Sequence, residues 1–78
     1  MQLEIITPDK KIFEDEVTSV VLPGIDGSFG ILKQHAPMIS ALKKGKVKVI
    51  DNRSTRHQFD INGGVVEVLN NRVIVLAE

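Results

Sequence analysis

Residues 46–61 read KVKVIDNRSTRHQFDI, and the way they alternate decides the fold. Val47 and Val49 are interleaved with Lys46 and Lys48, the two-residue period of a strand with one wet face. Past the turn-forming Asp51-Asn52, His57, Phe59 and Ile61 fall on one side of a second run, and Arg56, Gln58 and Asp60 on the other.

Working outward, the same character holds to both ends of the chain. The apolar residues are dominated by ten Val and nine Ile, whose stiff β-branched side chains suit a pleated surface better than a helix. The runs LEII (3–6), VTSVVL (17–22) and RVIVLA (72–77) are more continuously apolar, the pattern of strands covered on both sides. Turn residues punctuate the runs at Pro8-Asp9-Lys10, Pro23-Gly24, Asp26-Gly27, Gly45, Asn62-Gly63-Gly64 and Asn70-Asn71. Asn-Asn between two apolar runs suits the positive φ of a tight hairpin. Roughly eight to ten short strands fit this punctuation, an all-β sandwich or barrel. One segment admits a helical turn: in HAPMISALKKG, Met38, Ile39 and Leu42 fall at helical spacing before Gly45.

Seventy-eight residues make one small domain. A lone core of this size rarely supplies more than about 3–5 kcal/mol, and with no cysteine the usual supplements of disulfide or thiolate metal site are excluded. A partner is the remaining supplement. Ten basic and ten acidic residues cancel, and the three aromatics are all Phe, so neither a phosphate-neutralising surface nor a base-stacking platform is indicated. No nucleic-acid partner is expected. No apolar run reaches the length of a membrane span or a signal peptide.

Catalysis finds little footing. His57 reads as a half-buried strand residue. His35 stands beside Lys33, Gln34 and Ser40, which supply neither a nucleophile–base pair nor a metal co-ligand. The glycines of GIDGSFG (24–30) invite a phosphate-cradle reading, but Ile31-Leu32 continue as strand where a helix N-terminus is required. No catalytic residue, metal or cofactor is expected. Glu14-Asp15-Glu16 and the lysines at 43, 44, 46 and 48 read as solvated runs. Phe29, flanked by turns, reads either as an apolar side chain on display or as a plug folded back into the core.

Five ordered stretches carry a family likeness: LEIITPDKKIFEDEV, SVVLPGIDGSFGIL, HAP followed by Met38-Ile39-Ser40-Ala41-Leu42-Lys43, NGGVVEV and NNRVIVLAE. Together they span essentially the whole chain, which resembles the N-terminal domain of the epsilon subunit of the rotary ATP synthase. The resemblance implies a ten-stranded antiparallel β-sandwich over residues 1–78, without the two-helix C-terminal domain that commonly follows. It implies a non-catalytic rotor subunit at the cytoplasmic face of the bacterial inner membrane. Such a subunit docks the gamma subunit and the c-ring, and couples proton-driven rotation to ATP synthesis elsewhere. Membrane association would come only through the complex.

By the same resemblance, Gly27, Ser28, Phe29 and Gly30 align with loops that meet the c-ring, and Lys33, His35, Ala36, Pro37, Met38 and Ile39 with the gamma-facing surface. Two positions depart from the family pattern. Lys33-Gln34 stands where many members have Pro-Gly, and Ser28 where an acidic residue is frequent. The runner-up reading is a free-standing β-sandwich binding carbohydrate or peptide. It would display several aromatics on one face, and the chain has no Trp or Tyr.

Overall fold

The structure, a computed structural model, describes residues 1–33 and 36–78. It contains six strands and, among the described residues, no helix: β1 Gln2–Ile6, β2 Lys11–Gly24, β3 Gly27–Leu32, β4 Met38–Asp51, β5 Arg56–Leu69 and β6 Arg72–Ala77. The all-β expectation holds, and the strand count of ten does not. The difference lies in β2, β4 and β5, each 14 residues long, which run through both layers of the sandwich without a break.

The pairings show where each long strand changes layer. Lys11–Glu16 of β2 lies beside β1, whereas Ser19–Gly24 lies between β3 and β4, with a register shift between Val17 and Ser19. Met38–Lys43 of β4 pairs with Gly63–Val68 of β5, and Gly45–Ile50 pairs with Arg56–Ile61. Beyond Gly63, β5 takes β6 as its other neighbour. One layer therefore runs β2 (first half), β1, β6, β5 (second half), β4 (first half). The other runs β3, β2 (second half), β4 (second half), β5 (first half). A turn residue that the sequence presents as punctuation acts here as a bend inside a strand.

Gly64 marks the bend of β5. Its φ is +147°, and an added Cβ would collide with the carbonyl oxygen of Leu76 on β6. Only glycine allows the two backbones to approach this closely.

One pairing departs from the antiparallel expectation: β1 lies parallel to β6, Gln2 opposite Arg72 through Ile6 opposite Leu76. These are the two terminal strands, so no short connection constrains their direction. β1 also pairs with β2, which ties both chain ends into the sheet.

A single core lies between the layers. Leu3, Ile5, Val20, Leu22, Ile31, Val47, Val66, Val73 and Val75 are fully buried, with Ile12, Phe13, Phe29, Met38 and Phe59 packed around them. The alternation in residues 46–61 reads out as expected: Val47, Val49 and Ile61 are buried, and Lys46, Lys48, Arg56, Gln58 and Asp60 are exposed. The helical alternative for HAPMISALKKG is overturned, because Met38 onward is β4. Leu42 turns into the core while Ile39 and Ala41 face outward, a period of two that the apolar spacing alone did not separate from a helical turn. The Asn70-Asn71 turn has φ values of 52° and 61°, the paired positive values of a type I′ hairpin.

Candidate functional site: an uncovered apolar face

The outward side of the layer built on β1 and β6 carries an apolar row. Ala41 is opposite Val65, Val65 opposite Leu76, and Leu76 opposite Ile6, so the row crosses four strands. Beside it, Pro37, Met38, Ile39, Glu67, Val68 and Leu69 line a groove of about 370 Å³. Ile39 is 73% exposed, Leu76 53% and Leu69 50%. Nothing within the described residues covers this face. Scattered apolar residues on a surface are ordinary, but a continuous row next to an apolar groove marks a contact surface.

Met38 and Ile39 are among the residues that the resemblance aligns with a gamma-facing surface, whereas Val65, Leu69 and Leu76 are not. The signal was present in RVIVLA. Both faces of that run are apolar, and it was read as covered on both sides within the chain. Val73, Val75 and Ala77 do fill the core, whereas Leu76 points away from it and Ile74 is half-buried. The second cover is not supplied by the described residues.

The hairpin between β2 and β3 approaches this face at one edge. The Ile25 N–H donates to the Ala41 carbonyl at 3.3 Å, and Gly24 pairs with both Gly27 and Leu42. Gly27, Ser28 and Gly30 are exposed, but they belong to the start of strand β3, paired with Gly24, Pro23 and Val21, and not to a loop as expected. Phe29 is half-buried against the core, and a Cβ on Gly24 would come within 2.8 Å of its ring carbons. Of the two readings of Phe29, the core plug is the one observed. Lys33 is exposed just beyond Leu32, the β3 residue paired with Ser19, and so lies at the opposite end of β3 from Ser28. Ala36 and Pro37 are exposed, and His35 lies outside the described residues.

Two charged clusters brace the scaffold. On the apolar face, Glu4 is nearly buried and accepts from Arg72 at 2.7 Å, with the Lys11 ammonium at 3.2 Å. The hydrogen bonds from Arg72 and then Lys11 hold its carboxyl below the usual range. At the turn between β4 and β5, the Asp51 carboxylate is 1% exposed. It accepts from the Arg53 N–H at 2.8 Å and the Thr55 N–H at 2.9 Å, and its other oxygen meets His57 Nε2 at 2.9 Å. The His57 contact, opposed by burial and reinforced by the two backbone donors, lowers its pKa to about 2. His57 therefore has a partner that spacing did not reveal. Its ring packs tilted against Phe13 at 5.0 Å, itself 5.2 Å from Phe59, and the arrangement pins a turn. All three phenylalanines are engaged with the core, which leaves no displayed aromatic platform for a sugar.

Comparison with known proteins agrees with this architecture. The model of the delta/epsilon chain β-sandwich domain of ATP synthase matches residues 1–78. The chain belongs to that family. It is 48% identical to the ATP synthase epsilon chain of Chlorobium limicola, covering 99% of this chain and 88% of that one. It is 45% identical to that of Chlorobaculum tepidum, covering 97% and 86%. It is 43% identical to that of Desulforamulus reducens, covering 99% of this chain but only 58% of the relative.

Among solved structures, a chain of the Euglena gracilis mitochondrial ATP synthase shares the fold with a TM-score of 0.90 at 23% identity, over 96% of this chain and 48% of that one. A chain of the Tetrahymena thermophila enzyme, from a structure of its central stalk and c-ring, gives 0.81 at 19% identity, over 99% and 62%. Family membership makes the chain a delta/epsilon-type subunit of ATP synthase rather than its catalytic one. The complex is membrane-associated, and no helix among the described residues is long and apolar enough to cross a membrane.

Proposed function

We propose that this subunit docks the gamma subunit through the apolar face around Ile39, and the c-ring through the Gly27–Gly30 hairpin. It thereby couples proton-driven ring rotation to ATP synthesis, at the cytoplasmic side of a bacterial inner membrane. The observation that carries the reading is the uncovered row Ala41–Val65–Leu76–Ile6, with the groove at Pro37–Ile39 beside it. A partner that covers the row removes exposed apolar area and supplies the stability that a core this small lacks.

The gamma contact includes Ala36, Pro37, Met38 and Ile39, with Lys33 and His35 flanking them in sequence. The ring contact centres on Ser28, with Gly27 and Gly30 shaping the turn and Phe29 anchoring it from beneath. Ser28 offers a hydrogen bond rather than a charge at that point.

Pull-down with purified gamma subunit and with c-ring tests both contacts. Ile39→Asp is expected to weaken gamma binding tenfold or more, roughly 1.4 kcal/mol, with ring binding retained. Ser28→Trp is expected to do the reverse. Wild-type chain that binds neither component would overturn the proposal.

A further inference from the structure

The opposite layer has a second surface of different chemistry. Ser19, Val21, Lys48, Ile50, Arg56 and Gln58 line a groove of about 520 Å³. The register sets Val21 opposite both Gly30 and Lys48, Lys48 opposite Gln58, and Ile50 opposite Arg56. Gly30 has no side chain to cover Val21, and Leu32 at the end of the same strand is 64% exposed. The groove therefore has an apolar floor with cations at its side.

Charge separates the two faces. Lys48 and Arg56 make no ion pair among the described residues, and Asp60, the acid that alternates onto the same face of β5 as Arg56 and Gln58, is engaged by Lys46 at 2.8 Å. On the apolar face the cations Arg72 and Lys11 are held by Glu4, and Glu67 makes no ion pair among the described residues. A net charge of zero thus conceals a face on which two cations, Lys48 and Arg56, stand without an ion pair among the described residues.

We propose that the Ser19–Gln58 groove is a second docking surface, for an acidic amphipathic segment of another subunit of the complex. Apolar side chains of that segment would lie over Val21 and Ile50, and its carboxylates would meet Lys48 and Arg56. The groove is on the layer away from Ile39, so the inference goes beyond the docking proposed above and does not depend on it. Complementary charge at such a surface sets partner choice and association rate more than affinity.

The test uses the assembled ATP synthase with a photo-crosslinking p-benzoylphenylalanine at Gln58, and a separate preparation with the probe at Ile39. The expected product at Gln58 is a cross-link to an acidic, amphipathic peptide of another subunit, its yield reduced roughly tenfold by K48E/R56E. That substitution should leave the Ile39 product unchanged. Both positions are exposed, and K48Q/R56Q, with a smaller expected loss, serves if the reversed pair does not assemble. Silence at Gln58 overturns the inference whatever Ile39 yields. So does a cross-link to a second copy of this chain, to lipid or to a basic peptide, or a yield indifferent to both variants. Silence at Ile39 alone counts against the gamma docking instead.

Discussion

Replacing Gly64 with alanine tests the account of how β5 passes between layers. Its φ of +147° is outside the range that L side chains accept, and the new Cβ would strike the Leu76 carbonyl and lie 3.1 Å from Ala77 Cα. Both obstacles are backbone atoms of a paired strand, so no side chain can swing aside. Strand β5 is held on both sides there, Gly64 pairing with Leu42 and with Ala77. Backbone strain of about 1–3 kcal/mol adds to overpacking of about 1–3 kcal/mol, giving roughly 2–6 kcal/mol. That rivals the whole stability of about 3–5 kcal/mol expected of so small a domain.

Gly63 supplies the control. Its φ is +142°, but its Cβ would meet only Glu78 Oε1 at 3.3 Å, a flexible side chain, and the Leu42 carbonyl at 3.5 Å. Gly63→Ala should therefore cost the strain alone, about 1–3 kcal/mol. Urea unfolding followed by far-ultraviolet circular dichroism should show a weakened cooperative transition for Gly63→Ala and no folded baseline for Gly64→Ala. A Gly64→Ala protein within about 1 kcal/mol of wild type would refute the close-approach account. So would equal losses from the two substitutions.

Acid should weaken the fold through Asp51. Its pKa falls from 3.8 to about 2 on folding, so between those values the folded state holds fewer protons than the unfolded chain. Stability present above pH 4 is then lost as pH falls toward 2, and Asp51→Asn should be less stable at neutral pH with that part of the slope gone; matching acid profiles would contradict this. Asn70→Gly should be tolerated, whereas Asn70→Ala should lose about 1 kcal/mol from its φ of 52°, measured as a fall of several degrees in Tm. Leu76→Asp should leave Tm nearly unchanged, since the side chain is half exposed, while reducing gamma binding; a large fall in Tm would mean that Leu76 serves this domain's own core.

The strands were legible because their apolar residues alternate, as in Val47 and Val49 against Lys46 and Lys48. Their continuity was not, because a bend within a strand and a turn between strands use the same residues. Asn62-Gly63-Gly64 serves as the former, and Asn70-Asn71 as the latter. Segment 38–45 resisted periodicity because its outward face also carries apolar residues, Ile39 and Ala41, and the same residues place it in the proposed contact surface. The Asp51–His57 pair was hidden for a different cause. The two residues are six apart in sequence, and only the Ser54 turn, with its φ of 66°, brings their side chains to 2.9 Å. Net charge hid most of all, since a sum over the chain cannot report which layer each charge faces.

Strand β4 gives the domain a short mechanical path. Ile39 stands on its first half in the proposed gamma surface, and two and three residues on, Ala41 and Leu42 hold the hairpin that carries Ser28. At about 3.3 Å per residue, Ile39 and the point where β4 holds that hairpin are within roughly 10 Å along one extended backbone. That backbone is hydrogen-bonded to β5 on one side and to the hairpin at Gly24 and Ile25 on the other. An extended strand so held has little slack to take up before it passes a load on. The coupling role proposed above needs that property, and here it follows from fastening the β2–β3 hairpin directly to the strand that carries Ile39.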